Sequence, residues 1–575
     1  MTDRFATTFH PFVLPFLLGL AFVLSYCAFG ILRIYLQLSH EDRRKFLLSL
    51  ITPSTALKNL KDIFLDCLIH VKLWKRNKML GYMHSSIAFG WFLLILFGHV
   101  EVFLFIPERL TTFYYPIFFN YFVDVSNPGT LGRIFLVLMD CLLAYVLSGI
   151  ALAFLKRLRS RLFGMRRTTR HSLVNQIGMY SLWAIFPLRL LAEHSMVLSF
   201  WWAYSMALCV FFVVLPFSRY MHIPAEILLI PMRNAGLKIV GYRKGFARMQ
   251  VLSCPNCGVC IDACPMSADK ANLKDCTVYL TRQIRRGNEK RIEEISDKCL
   301  LCGKCQALCQ VGVDGPGLRM MRRKTRTYAV DQDFSVIDTE PFKSAASGSK
   351  VLYFSGCMSQ LTPEIGRSVE SVLTRSGVDF KWMDKDGGLC CGRPLLTAGR
   401  TAQAEELVRR NEEIILGSGA DMLVVSCPIC YRMFRENYDL PGVEVRHYSG
   451  YILELIREKR IEVEKGDVCY VYHDPCELGR GCGIYDDPRR IVALSGSIAE
   501  APKTRSESVC CGGSLGSLSL GFAQREKLTK AAIENLYASG ADAIATACPL
   551  CKSTFNRYSS RPVRDIAEIV NSQIK

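Results

Sequence analysis

Hydrophobic positions along this chain fall into two regimes. Before residue 220 they form long unbroken runs, and after residue 250 they form runs of four or five separated by polar and amphipathic stretches. A bilayer-spanning helix takes about 20 apolar residues, and five segments qualify: 11–36, 80–106, 131–155, 176–193 and 196–219. The short runs of the second regime, such as VLYF before Cys357, MLVV before Cys427 and AIATA before Cys548, read as buried strands with helical patterns between them. The pattern predicts a five-span membrane helical bundle followed by soluble domains that end in two α/β units.

At 575 residues the chain exceeds a single core, so several domains are expected. The first apolar run is too long for a signal-peptide core and lacks a small-residue cleavage site, so it should remain as an anchor. The formal net charge of +19 suggests nucleic acid, but its placement argues otherwise. Basic residues crowd the connections 42–78 (Arg43, Arg44, Lys72, Lys75, Arg76, Lys78) and 156–170 (Lys156, Arg157, Arg159, Arg161, Arg166, Arg167, Arg170). The connection 107–130 holds only Arg109 against Glu108 and Asp124. By the positive-inside rule the two basic loops face the cytoplasm, and the fifth span delivers the remaining chain there. Residues 223–253 (Arg233, Lys238, Arg243, Lys244, Arg248) form a basic juxtamembrane segment suited to anionic headgroups. A multi-pass protein of a prokaryotic cytoplasmic membrane is expected, its soluble half cytoplasmic, with membrane lipid rather than nucleic acid as partner.

Of 25 cysteines, 21 follow residue 250. Clustered thiols at metal spacing indicate a reducing compartment and ligation. Two runs, CPNCGVCIDACP from Cys254 and CLLCGKCQALCQ from Cys299, each have the C-x2-C-x2-C-x3-C spacing of two-cluster ferredoxins, in which the fourth cysteine of one run serves the other cluster. Cys254, Cys257, Cys260 and Cys309 would hold one cubane [4Fe-4S] cluster, and Cys299, Cys302, Cys305 and Cys264 the other. Zinc needs four thiolates and eight are supplied, so two clusters are expected rather than zinc or disulfides.

A thiol repeat follows. Cys357, Cys390, Cys391, Cys427 and Cys430 recur 119 to 121 residues later as Cys476, Cys510, Cys511, Cys548 and Cys551. The cysteines sit at strand ends and in loops, where layered α/β units place their sites. Five gathered thiols suit an iron–sulfur centre or a four-thiolate zinc site with one spare, and spacing leaves both open.

His84 opens the second span and His222 closes the fifth, on the same side. Such a pair can ligate a b-type haem axially or form a hydrogen-bonded structural pair. His99 and His194 share the outer side, where an outer haem, a quinone site and a solvent-facing role are all open. Glu101, Asp140, Arg189 and Glu193 mark a quinone or proton path, or pair inside the bundle. Cys27, Cys67, Cys141 and Cys209 have no ligand spacing and read as packing residues.

The span-five ending Pro216, Phe217, Ser218, Arg219 and His222 resembles the haem-ligand segment P-[FY]-S-[RK]-x2-H of the cytochrome b subunits of respiratory nitrate reductases and membrane-bound heterodisulfide reductases. Two-haem relatives carry a second histidine pair where this chain has Leu94 and Tyr204, so the resemblance implies one haem b, held by His84 and His222. The thiol repeat resembles the two CCG domains of heterodisulfide reductase catalytic subunits and related quinone-linked oxidoreductases. It implies a noncubane [4Fe-4S] cluster at each set, both facing a substrate cleft. Where that family often has His or Tyr after Asp-Pro-Cys, this chain has Glu477 after Asp474, Pro475 and Cys476.

The organisation that follows is a cytochrome b-like bundle over 1–235, a helical dicluster ferredoxin domain over 236–325, a linker over 326–349, and CCG domains over 350–464 and 465–575. Two functions fit. One is a relay between membrane menaquinone and a soluble flavoprotein such as an electron-transferring flavoprotein. The other is a quinone-linked reductase of the heterodisulfide type, acting on a disulfide or dithiol. No complete G-x-G-x-x-G or P-loop occurs, so a flavin would arrive on a partner. A redox sensor would not need four clusters and a haem in line.

Overall fold

A computed structural model describes residues 9–105, 113–122, 129–164, 169, 172–195, 197–268, 270–325, 348–385, 389–516 and 520–575. The predicted linker, apart from its last two residues, lies outside them, as do Glu108, Arg109, Asp124, Arg166, Arg167 and Arg170. The chain divides into two compact units, one comprising Met1–Asp262 with Cys309–Val313 and the other Ala263–Leu308 with Asp314–Lys575. The predicted ferredoxin stretch 236–325 is therefore shared between them.

In the first unit, four helices among the described residues are long and apolar enough to cross a membrane: Pro11–Leu36, Lys78–Phe105, Gly129–Leu158 and Leu198–Phe217. The segment expected as the fourth of five spans is also a helix, Leu173–Ser195, of 23 residues. Asn175, Gln176, Arg189, Glu193 and His194 dilute its apolar content, so by composition it is not among the four that qualify in the described residues. Arg189 and Glu193 neutralise each other inside the bundle through an ion pair of 2.7 Å.

Small residues let the helix backbones approach, as membrane interfaces require. A side chain at Gly19 would come within 2.8 Å of the Cys209 backbone, and one at Gly90 within 2.6 Å of the Val146 methyl. Outward positions such as Leu18, Phe29, Ile134 and Val137 are exposed apolar groups, the outer surface of a helical bundle made for lipid. The basic connection 42–78 folds into helices, including His40–Ile51 and Pro53–Ile63. Ser39 caps the first by accepting from the Asp42 N–H at 3.0 Å. Asn234, at the end of helix His222–Asn234, donates to Asn59 and Asp62 and so ties this connection to the segment after the last span.

In the second unit the repeat folds as two four-stranded parallel sheets of equivalent order, β2-β1-β3-β4 and β6-β5-β7-β8. The strands are β1 Val351–Phe354, β2 Phe380–Trp382, β3 Met422–Val425, β4 Glu444–His447, β5 Cys469–Tyr472, β6 Ser497–Ala499, β7 Ala543–Thr546 and β8 Val563–Asp565. The central strands are buried on both faces, which explains their continuous apolar runs. The repeats interlock, with helix Pro363–Arg375 against Ile566–Gln573 and Tyr448–Arg457 against Asp486–Ser495. Tyr448 donates its buried hydroxyl to Asp565 at 2.7 Å, across the two repeats.

Candidate metal centres

The strand-to-helix turns position the repeated thiols. Cys357 follows β1, Cys427 follows β3 and precedes helix Pro428–Asn437, and Cys476 and Cys548 take the same places after β5 and β7. These are the carboxyl ends of parallel strands, where α/β sheets build their sites. Each Cys-Cys-Gly turn uses its glycine in the left-handed region, Gly392 at φ 84° and Gly512 at φ 84°.

The thiols form the same chain of contacts in both repeats. Cys357 touches Cys390 at 3.9 Å, Cys390 bonds Cys391, Cys391 bonds Cys430, and Cys430 bonds Cys427. In the second repeat Cys476 bonds Cys510, Cys510 bonds Cys511, Cys511 meets Cys551 at 3.3 Å, and Cys551 bonds Cys548. Bonds from Cys390 and Cys430 hold the Cys391 thiol down to about 6 despite its burial. Cys511 is likewise held well below the ordinary thiol range by Cys510 and Cys551, with a smaller contribution from His473. Thiolate is the ligating form. Five convergent sulfurs exceed one tetrahedral zinc, so both donor sets fit an iron–sulfur centre.

The ferredoxin-type cysteines sort cleanly. Cys254, Cys257, Cys260 and Cys309 all belong to the first unit, and Cys264, Cys299, Cys302 and Cys305 to the second. In the first set, burial and then the neighbouring Cys257 and Cys254 push the Cys309 thiol up to about 12. The carbonyl of Asn256 accepts from Thr169 at 2.6 Å and from the Arg219 guanidinium at 3.1 Å, which fastens this cysteine loop to the segment that ends in His222.

In the second set, Cys302 hydrogen-bonds Cys510 of the second repeat, and this contact brings the Cys302 thiol down to about 6. Arg480 secures the junction. It donates to the Cys302 carbonyl at 2.6 Å and to the Ser508 hydroxyl at 2.8 Å. Arg319, 2% exposed, lies beside Cys299 and Cys305 and donates to the Asp275 carbonyl at 2.8 Å. Arg319, buried, and Arg480, half-buried, thus stand beside thiols whose negative charge as ligands would otherwise be costly to bury. Cys276, which hydrogen-bonds Cys264, also belongs to this neighbourhood. Sequence reasoning missed Cys276, Arg319, Arg480 and His473. Only the Asp-Pro-Cys motif beside His473 offered a signal.

A small cavity adjoins the second repeat's thiols, lined by Arg393, Glu477, Cys476, Cys511, Cys548 and Cys551 among others. Glu477 fills its polar side by accepting from Arg432 at 2.9 Å and facing Arg393 at 3.9 Å. Burial alone would raise the Glu477 carboxyl, but Arg393, Arg432 and Arg480 outweigh it and hold the group below the usual carboxylate range.

In the membrane helices, His84 has His70, His222, Lys156 and Arg219 as neighbours, and the His70 and His84 ring centres are 5.3 Å apart. His222 is held through Nδ1 by the Arg219 carbonyl at 2.6 Å. His70, which the sequence did not single out, takes a left-handed backbone at φ 58°. His99 and His194 are exposed. Each bonds a carbonyl of its own helix, Ile95 and Leu190 respectively, and His194 also faces Asp140 at 3.7 Å. Leu94 and Tyr204 are buried. Tyr204 bonds Arg189, and Glu101 lies in the same buried charged group. Among the four membrane-half cysteines Cys209 packs on Gly19, while Cys27 and Cys67 are half-buried and Cys141 is exposed.

Fold and sites together define a membrane iron–sulfur protein of electron transfer. Residues 253–314 match the 4Fe-4S dicluster domain, and 351–435 and 470–556 each match the cysteine-rich domain, CCG. The chain is 26% identical over 367 residues to a subunit of the dihydromethanophenazine:CoB–CoM heterodisulfide reductase of Methanosarcina acetivorans, a match that covers 53% of this chain and 88% of that protein. It is 27% identical over 240 residues to the EtfAB:quinone oxidoreductase of Syntrophomonas wolfei, covering 38% of this chain and 34% of that protein. A probable membrane-anchored ferredoxin of Chromohalobacter salexigens is 25% identical over 342 residues, covering 55% and 47% respectively.

Proposed function

We propose that the chain carries electrons between a membrane quinone, menaquinone by expectation, and a soluble flavoprotein on the cytoplasmic side. In this reading Leu173–Ser195 is a fifth span whose charges are paired internally, and His84 and His222 hold one haem b. The two imidazoles are neighbours, and the Arg219–Asn256 bond next to His222 leads to the first cubane set. Cys260 of that set is four residues from Cys264 of the second. The haem would supply one-electron transfer, while the protein would hold its ligands through bonds such as Arg219 carbonyl to His222.

The observation that carries the reading is the Cys302–Cys510 contact, fastened by Arg480, which sets a cubane ligand directly against a CCG ligand. Glu477 supports a docking partner over a small anionic substrate. The two guanidiniums at the cavity, Arg393 and Arg432, are already matched by the chain's own carboxylate. A second reading, disulfide reduction of the heterodisulfide type, is favoured by the completeness of both five-cysteine sets and by the cavity beside the second.

The test is to reduce the detergent-purified chain with a menaquinol analogue and follow haem absorbance and cluster EPR while adding an oxidised electron-transferring flavoprotein or an organic disulfide. Reoxidation by flavoprotein alone supports the relay, and reoxidation by disulfide alone supports the second reading. Failure with both refutes the two together. His222→Ala should abolish a b-type haem spectrum, and its retention would remove the haem assignment.

A further inference from the structure

The two CCG sites present the same five-thiol pattern, and one of the differences between them falls at a buried ring position. Counting back from the first cysteine of each set, the residue three before Cys357 is Phe354 and the residue three before Cys476 is His473. Both are buried, at 1% and 2% exposure. Both stack edge-on against the equivalent phenylalanine four residues beyond the last cysteine. The Phe354 and Phe434 centres are 5.0 Å apart at 87°, and those of His473 and Phe555 are 4.8 Å apart at 88°. The packing therefore asks only for a flat ring, and a phenyl satisfies it in the first repeat. Imidazole in the second brings two polar nitrogens into a buried site at a desolvation cost, which is recovered only if a nitrogen finds a partner.

It does. A ring nitrogen of His473 and the Sγ atoms of Cys511 and Cys551 lie within 4.8 Å of one another. His473 bonds the Cys511 thiol. In the first repeat Phe354 offers no nitrogen; its ring edge lies 3.6 Å from where a side chain on Gly356 would begin, and that same side chain would meet the Cys430 sulfur. An N–H directed at a ligand sulfur withdraws charge from it. A centre gains negative charge on reduction, so such a donor stabilises the reduced form and raises the potential.

We propose that His473 is a hydrogen-bond donor to the Cys511 ligand sulfur of the second CCG centre and makes this centre the more easily reduced of the two. The inference rests on the reading of both thiol sets as iron–sulfur centres. It goes beyond that reading by giving the duplicated sites unequal roles. The centre next to Cys302 becomes the electron-accepting one, and the first becomes the weaker oxidant. His473 need not be a ligand, because the five sulfurs of its set match those of the first repeat, which holds no imidazole at this position.

The test is an EPR-monitored redox titration of the full-length purified chain, with iron counted in every sample. His473→Phe, which copies the first repeat, should keep the iron content and lower the midpoint of one CCG signal. A tenfold fall in the reduced-to-oxidised ratio at fixed potential corresponds to about 59 mV for one electron. His473→Gln, which restores an N–H, should recover most of the shift. Phe354→His should raise the other signal and narrow the gap from the opposite side. Unchanged midpoints in His473→Phe with iron retained would overturn the proposal. So would loss of about four iron atoms in that variant together with His473→Gln, which would make His473 a ligand. Wild-type protein with only about eight iron atoms, those of the two ferredoxin-type clusters, would instead refute the CCG cluster reading beneath it.

Discussion

Arg489 offers the sharpest test of how the second centre is held. Its guanidinium donates to both oxygens of Asp474, at 2.6 and 2.8 Å, and its Nε donates to Glu500 at 2.6 Å. The side chains of Arg489 and Asp474 are only 8% and 2% exposed. Asp474 is two residues before Cys476 and also accepts from the Arg505 N–H at 2.7 Å. Arg489→Met preserves much of the side-chain volume but strands a buried carboxylate. Breaking a buried pair from one side costs about 3–5 kcal/mol. At a urea slope of about 2 kcal/mol/M, the midpoint should fall by about 1.5–2.5 M. The assay is loss of cluster visible absorbance against urea under anaerobic conditions. The Arg489→Met, Asp474→Asn double variant should recover at least half of the loss, because the stranded charge is gone. Arg409→Ala, in an exposed pair with Glu406 and Glu413, should leave the midpoint unmoved. A shift under about 0.5 M in Arg489→Met, at the slope used above, would refute the claim that this pair clamps the Cys476 loop.

Gly356→Ala should remove the first CCG centre and about four iron atoms, since the new methyl would sit 2.8 Å from the Cys430 sulfur at a φ of 84°; iron analysis checks it. Wild-type protein should contain about sixteen iron atoms in clusters and no stoichiometric zinc, and Cys427→Ser should lower the iron specifically. His447 is buried, its Nε2 is unpartnered among the described groups, and burial pushes it down to about 3. Its folded value is below the unfolded value, so its contribution is complete above about pH 6.5 and is lost as pH falls toward 3, at up to about 1.4 kcal/mol per pH unit. Urea midpoints at pH 7 and pH 5 should therefore differ more in wild type than in His447→Gln.

The cysteine spacings were legible because ligands close together in sequence must be presented by one turn or loop, and the strands were legible because buried parallel strands are apolar throughout. The helices of the membrane half were legible for the same local reason. The segment 176–193 shows where this ends. Arg189 and Glu193 lower its mean hydropathy, yet the bundle buries them as a pair. Glu477 read as a departure from a motif. Its meaning came from Arg393 and Arg432, 84 and 45 residues away in the chain.

What the sequence by itself determined is the inventory of candidate ligands: eight cysteines at ferredoxin spacing, two sets of five in repeat, and histidines at the ends of apolar runs. What only the tertiary structure decided is which groups surround them. That Cys302 meets Cys510, that Arg480 and Arg319 supply positive charge beside the thiols, and that His473 comes to lie beside Cys511 are all consequences of long-range packing. Spacing reports what one segment can ligate. Charge, hydrogen bonding and burial at a metal centre come from whatever other segments fold against it, and those are set by the closing of the sheets rather than by any local pattern.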